Sequence, residues 1–117
     1  KRQHKLFVTA LKGKTHFDKI FKKPDLIVNH GCLRIIIKKN NLEEIKLGLI
    51  VPKKNLSLAA RRNYIKRSAR ELVRNEIFLG YDLIFLLTHK IKDYSKPEIK
   101  NNINKLKRKI ESKLNDF

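Results

Sequence analysis

The sequence predicts an α+β fold in which one four-stranded sheet packs against helices in a two-layer sandwich. Several short runs of branched apolar residues are bounded by Asn, Gly or Pro, as strands usually are. Other segments repeat their apolar residues at the 3.6-residue period of a helix that buries one face. The predicted order is αβββαβα, in a single domain over residues 1–117 without internal repeats.

The beginning of the chain is predicted to be a basic arm followed by a short helix. Residues 1–14 are rich in Lys and Arg and show little apolar periodicity, so they are assigned to the arm. The helix is predicted to start at Thr15 and to end before Pro24. Phe17 and Phe21 lie four residues apart on it, a spacing typical of a helix face that packs into the core.

Three strands of a meander are predicted next. They are Leu26–Val28, Leu33–Lys38 and Ile45–Val51. Pro52 ends the third strand, because proline has no N–H to donate to a neighbouring strand.

Two longer helices and a fourth strand complete the prediction. Ser57 is a suitable N-cap for a helix that extends to about residues 75–77. Tyr81–Thr88 is nearly all apolar, as in a strand buried on both faces. Ser95 and Glu98 form a capping box at the start of the last helix. Its predicted core stripe consists of Ile99, Ile103, Leu106, Ile110 and Leu114.

The charge of the chain indicates a polyanionic partner. Lys and Arg total 29 against 11 Asp and Glu, a formal net charge of +18. Such like charge destabilises a compact domain by self-repulsion and is typical of nucleic-acid binding, which is favoured here over an anionic membrane or an acidic protein. Cys32 is the only cysteine, which excludes an intrachain disulfide. No apolar run approaches the roughly 20 residues of a membrane helix, so a cytoplasmic protein is expected.

The long middle helix separates its cations from its apolar residues. With about 100° between successive residues, one arc is predicted to be the core face: Leu58, Ile65, Ala69, Leu72 and Val73. The neighbouring arc, here called the cation ridge, consists of Arg62, Asn63, Lys66, Arg67, Arg70 and Arg74. Glu71 is expected to point elsewhere. A merely solvated face would usually mix both signs of charge, so the pattern favours a binding face for phosphates.

Lys53 and Lys54 follow the third strand and extend the positive charge at the start of this helix. A solubilising strand end remains an equally good interpretation of this pair.

Three segments, taken together, resemble the ribonuclease P protein family. Arg62–Glu71 resembles its signature helix R-N-x-x-K-R-x-x-R, and Leu47–Lys54 resembles its third strand, which ends in a lysine pair. Phe17–Phe21 resembles its first helix. The resemblance is clear over residues 17–88 and extends to the last helix by topology only. Tyr64 stands where the motif has a second arginine.

The resemblance implies a fold like that of a ribosomal small-subunit protein, with a left-handed βαβ crossover. General rules would instead predict a right-handed connection. It also implies a function: in this family the catalyst is an RNA, which hydrolyses one phosphodiester of precursor tRNA to leave the mature 5′ end. The protein would be the non-catalytic subunit of this endoribonuclease, with the catalytic RNA and precursor tRNA as partners and no obligate protein partner or membrane.

The resemblance also assigns roles to individual residues. The set that would face the catalytic RNA is Lys53, Lys54, Arg62, Asn63, Lys66, Arg67 and Arg70. Phe17 and Phe21 would line a cleft for the 5′ leader of the substrate, where single-stranded bases can stack on rings. Spacing alone favours core packing for these two phenylalanines.

No catalytic or metal-binding residues are predicted in the protein. The four histidines are scattered, and the acidic residues do not cluster as a metal-dependent nuclease requires. Magnesium is therefore expected to be held mainly by the partner RNA. Two alternatives remain: a structural RNA-binding protein such as a ribosomal protein, and, less favoured, a self-sufficient nuclease.

Overall fold

A five-stranded mixed sheet with three helices forms the body of the protein. The computed structural model describes residues 6–117. The strands are β1 (Val8–Ala10), β2 (Leu26–His30), β3 (Leu33–Lys39), β4 (Ile45–Ile50) and β5 (Tyr81–Leu87). The helices are α1 (Lys14–Lys22), α2 (Ala59–Val73) and α3 (Lys96–Asn115), and a short 3-10 turn (Glu76–Phe78) joins α2 to β5. The predicted α+β class is confirmed, with five strands rather than four.

The additional strand, β1, lies within the segment predicted to be an arm. It pairs in parallel with β4, and Val8 lies opposite Ile45. The backbone N–H of Leu11 donates to the carbonyl of Leu47 at 2.9 Å, and the Leu11 side chain is buried. A three-residue strand is held mainly by backbone hydrogen bonds, so it leaves almost no side-chain pattern in the sequence. Residues 1–5 of the predicted arm lie outside the described residues.

The predicted meander is wrong, because β5 lies between β3 and β4. The strand order is β1-β4-β5-β3-β2, with β5 antiparallel to β3 and parallel to β4. Leu83, Ile84 and Phe85 are fully buried in β5. A strand that is apolar on both faces is best buried in the centre of a sheet, and this preference separates two strands that are neighbours along the chain.

A short link between β3 and β4 crosses the end of β5. Residues 40–44 span two strand spacings, which is about 10 Å. The N–H of Asn40 donates to the carbonyl of Gly80 at 2.9 Å, and the N–H of Gly80 donates to the carbonyl of Glu44 at 3.0 Å. Gly80 has a φ of 91°, which favours glycine, so its backbone can meet both ends of the link.

The β4–α2–β5 segment is the parallel βαβ unit that the resemblance implies. It places α2 beside β4 and against α3. The left-handed sense of this crossover stays a prediction.

The helices cover the two faces of the sheet unequally. Ile35, Ile37, Leu83 and Phe85 belong to a large core with α2 and α3. The alternate residues of the same strands, including Ile36 and Ile84, form a smaller cluster on the other face. There they pack against Leu11 and against Ile20 of α1. Because α1 has only nine residues, it covers just part of this second face.

Two of the predicted helix starts are wrong. Helix α1 has Gly13, with φ 89°, at its N-cap instead of starting at Thr15. The N-cap of α2 is Leu58 rather than Ser57, and no side chain caps either helix. The residue at which each helix begins is thus determined more by tertiary packing than by a capping side chain.

The last helix agrees with its prediction. The hydroxyl of Ser95 accepts a hydrogen bond from the N–H of Glu98 at 3.4 Å, as a capping serine does. The predicted stripe faces the large core: Ile99, Ile103, Leu106 and Ile110 are buried, and Leu114 packs against them.

We expect Leu72→Ala to lower the free energy of unfolding by about 2–5 kcal/mol, because it removes a buried side chain of α2 from the large core and leaves a cavity there. Leu58→Ala serves as the control, since Leu58 is 55% exposed and its loss should change stability by only about 0.5 kcal/mol or less. Denaturant unfolding monitored by circular dichroism measures both. Equal destabilisation by the two substitutions would contradict the assigned faces of α2.

We expect Gly48→Ala to destabilise the protein by about 1–3 kcal/mol through overpacking. A Cβ atom at Gly48 would lie 2.5 Å from Cζ of Phe17, so the ring would have to move. In a Phe17→Ala background the same substitution should cost much less, and a double-mutant cycle from denaturant unfolding measures the difference. An unchanged cost in that background would show that Phe17 does not rest on Gly48.

Candidate nucleic-acid interface

The apolar seam of α2 fixes which side chains face outward. Ile65, Ala69, Leu72 and Val73 are buried, as the helical period predicts. Leu58 was predicted to join them and does not, because it is the extended N-cap residue and lies outside the helical rotation. The seam therefore runs along the helix proper and turns the adjoining arc toward solvent.

The centre of the cation ridge is open to solvent. Asn63, Arg67 and Arg70 are exposed, and Lys66 is half-buried beside the seam. Among residues 6–117 none of the three cations forms an ion pair. Their charge is thus available to an external anion.

Arg62, at the start of the ridge, bonds to the loop before the helix. Its Nη1 donates to the carbonyl of Leu56 at 3.0 Å and to that of Ser57 at 2.6 Å. Its side chain is half-buried. This arginine fixes the loop against the helix, and only the guanidinium N–H groups outside these two bonds are available to another partner.

Arg74, at the other end of the ridge, is paired within the protein. Its Nη1 lies 3.1 Å from Oε1 of Glu71, both side chains being exposed. The expectation that Glu71 points away from the ridge is therefore wrong at this position, because residues three apart on a helix are neighbours. The pair is the one salt bridge of the described part of the chain, and exposed pairs contribute only about 0–1 kcal/mol.

Lys53 and Lys54 are exposed in the turn that joins β4 to α2. The N–H groups of Asn55 and Leu56 donate to the carbonyl of Pro52 at 3.0 and 3.2 Å, which closes the turn. The amide nitrogen of Asn55 also donates to the carbonyl of Leu87, at 2.9 Å. These bonds hold the lysine pair at the end of the sheet from which α2 departs.

Tyr64, which replaces the second arginine of the motif, lies on the α3 side of α2 rather than on the ridge. The Nζ atom of Lys96 lies 5.2 Å from the centroid of its ring. Close by, the guanidinium of Arg61 lies 4.6 Å from the ring centroid of Tyr94. Burial, together with the Tyr64 phenol, raises the pKa of Tyr94, and Arg61 partly opposes this. No sequence pattern predicts these two cation–π contacts, since each joins residues that are distant in the chain.

The first helix and the sheet leave an apolar surface partly open. Ile20 is the residue of α1 that is buried against the sheet, while Phe17 is half-buried over Gly48 and Phe21 is 42% exposed. Beyond α1, one row across the sheet contains Arg34, Leu86 and Ile50 in adjacent strands.

This row has the composition of a surface for single-stranded nucleic acid. Leu86 and Ile50 are half-buried, so each keeps part of its apolar side chain at the surface. The Nε atom of Arg34 donates to Oδ1 of Asn29 at 2.7 Å, which holds the guanidinium at the sheet surface. The open sheet face, meaning Phe17, Phe21 and this row, combines apolar groups with an oriented cation.

The described residues offer no metal centre. Within residues 6–117 no three His, Cys, Asp or Glu side chains are grouped so that they could hold a metal ion. Cys32 is half-buried against the large core, and burial raises the pKa of its thiol. None of the helices in this part of the chain is long and apolar enough to cross a membrane.

Comparison with known proteins identifies the family. Residues 8–111 match the family described as Ribonuclease P. The ribonuclease P protein component of Pseudomonas putida is 29% identical over 97 residues, which cover 81% of this chain and 73% of that protein. The same component of Pseudomonas entomophila is 31% identical over 97 residues, with the same two coverages.

Solved structures show the same architecture. The RNase P protein of Staphylococcus aureus matches with a TM-score of 0.73 at 26% identity, covering 86% of this chain and 94% of that one. The RNase P protein of Thermotoga maritima matches with a TM-score of 0.62 at 27% identity, covering 85% of this chain and 96% of that one. The chain therefore belongs to the ribonuclease P protein family, as a protein subunit of the endoribonuclease in which RNA catalyses maturation of the tRNA 5′ end.

Proposed function

We propose that the cation ridge of α2 and the lysine pair bind the catalytic RNA of ribonuclease P. The observation that carries this proposal is the separation of charge on α2: Lys66, Arg67 and Arg70 are turned away from the core and have no acidic partner within residues 6–117. Arginine can bind a phosphate through two N–H groups and keeps its charge at every physiological pH. Two neighbouring arginines one helical turn apart suit successive phosphates.

Asn63 gives this surface a group that is not merely electrostatic. It is exposed among the cations and can both donate and accept hydrogen bonds. A ribose 2′-hydroxyl or a base edge offers the matching groups, which a lysine or an arginine cannot fully satisfy. Asn63 is therefore the residue proposed to distinguish RNA from other polyanions.

The open sheet face is proposed to hold the 5′ leader of precursor tRNA. Phe21 exposes part of its ring, and the half-buried Ile50 and Leu86 continue the apolar surface across the sheet. Arg34 lies in the same row and can meet a phosphate of the strand. Stacking of unpaired bases on apolar and aromatic groups beside a cation is how single strands are commonly bound.

Magnesium is proposed to belong to the RNA. Hard cations need clustered oxygen ligands, and the described side chains provide no such group. The contribution of the protein would be to reduce the repulsion between two polyanions, the catalytic RNA and its substrate. The cytoplasm is the proposed compartment because both RNA partners are available there.

We expect Arg67→Ala/Arg70→Ala to weaken binding of the catalytic RNA and to flatten the slope of log affinity against log salt by roughly 2. Cleavage of precursor tRNA at low magnesium should fall with it, and the thermal unfolding temperature should not. Filter binding at several salt concentrations measures the slope.

The matched control for this variant is Lys105→Ala/Lys113→Ala, which removes the same charge from exposed positions of α3. If both variants lost affinity equally, the net charge of the protein would explain binding, and the ridge would have no specific role.

We expect Phe21→Ala to reduce the preference of the reconstituted enzyme for precursor over mature tRNA. Loss of one stacked base costs about 1–3 kcal/mol, or about 5- to 150-fold in affinity. Binding to the catalytic RNA alone should not change. Leu79→Ala is the control, because Leu79 is 41% exposed, like Phe21, and follows the 3-10 turn instead of belonging to α1. If the Phe21 variant kept the full preference for precursor tRNA, Phe21 would not belong to the leader site. If even the unmodified protein showed no such preference, a purely structural RNA-binding role would be favoured.

A further inference from the structure

A groove of about 380 Å³ runs between α2 and α3 on the outer surface. Its floor contains Leu72 and Ile103, which belong to the large core. Its walls are polar, with Ser68 on α2 and Asn104 on α3. The volume lies within the range of about 300–1,000 Å³ that is usual for ligand sites.

The rim of the groove is positively charged. Arg67 on α2 and both Lys100 and Lys107 on α3 line it, and the single acid of the lining, Glu71, is already paired with Arg74 at 3.1 Å. The lining therefore has a surplus of positive charge that nothing in residues 6–117 neutralises through an ion pair.

The two lysines are placed in the groove by the packing of α3. They are seven residues apart, so they lie two turns apart on one side of that helix, about 10 Å from each other along its axis. Ile103, between them, is buried in the core and fixes this rotation. The two ammonium groups are therefore placed to contact different phosphates of one strand.

Tyr64, which lines the groove, also contacts Lys96 of α3. The ammonium group of Lys96 lies over the Tyr64 ring, at 5.2 Å from its centroid, so the ring orients a further cation beside Lys100. The tyrosine that replaces a motif arginine on α2 thus brings in a positive charge from α3.

Arg67 belongs both to the cation ridge and to the groove. The exposed cations of α2 and those of α3 consequently form one surface rather than two patches. An RNA that is bound on the cation ridge and extends across α2 would reach Lys100 and Lys107 of α3.

We propose that the α2–α3 groove is a second RNA-binding site, which holds the sugar–phosphate backbone of the RNA that contacts the cation ridge. Lys100 and Lys107 would contact phosphates, and Asn104 between them would hydrogen-bond a ribose hydroxyl. This inference rests on the proposed function of the ridge and adds α3 to its RNA-binding surface.

The test compares two double variants of the full chain that lose the same charge from the same helix. Lys100→Ala/Lys107→Ala removes the groove lysines, while Lys105→Ala/Lys113→Ala removes exposed lysines outside the groove lining. Affinity for the catalytic RNA is measured by filter binding over a range of salt, with thermal unfolding to verify that both variants are folded. Lys100→Arg/Lys107→Arg keeps the charge and should bind like the unmodified protein.

We expect the groove variant to lose about tenfold in affinity and to flatten the log–log salt slope by roughly 2, as for two lost phosphate contacts. The control variant should change far less. Equal losses in the two variants, or no loss in the groove variant, would overturn the inference. The proposed function would survive either result as long as Lys66→Ala/Arg70→Ala, which removes two ridge cations outside the groove lining, still weakened binding, so the two proposals fail separately.

Discussion

The burial of β5 on both faces is the constraint from which the rest of the architecture follows. A strand with Leu83, Ile84 and Phe85 completely removed from water needs a neighbouring strand on each edge and helices on each face. This requirement inserts β5 between β3 and β4 and sends the connecting helix α2 back over one face. The other face is left to α1, which is too short to cover it. The same strand therefore explains why long helices cover one face of the sheet, whereas the short helix α1 leaves the other face partly open.

The long helix uses its cations in two ways. Those at its ends stabilise the protein itself, since Arg62 binds loop carbonyls and Arg74 pairs with Glu71. Those in the middle have no such partner among the described residues and face outward next to the apolar seam. The helix is thus tied to the preceding loop at its start and held to the core by its buried seam, so its central charges are presented on a fixed element. Such preorganisation lowers the entropic cost of binding.

Sequence reasoning succeeded where a local period or motif determines the structure and failed where distant backbone pairing does. The buried faces of α2 and α3 follow from the 3.6-residue period, and Ser95 caps its helix as expected. The position of β5 between β3 and β4 is seen only in its backbone pairing with both strands, which no local periodicity encodes. The candidate surfaces show the same contrast: the ridge was visible in one helix, whereas the groove needs two helices whose packing is known only from the structure.

The scarcity of internal ion pairs in so cationic a chain gives folding and complex formation opposite responses to ionic strength. The chain has a formal charge of +18, and residues 6–117 contain a single salt bridge. Dissolved ions therefore screen more repulsion than attraction within the protein. Raising the salt concentration therefore stabilises the free protein while it drives the RNA away. In dilute buffer few ions screen the repulsion within the protein, and the RNA takes over the role of counterion. The fold therefore depends most on the RNA under the conditions in which protein and RNA associate most strongly.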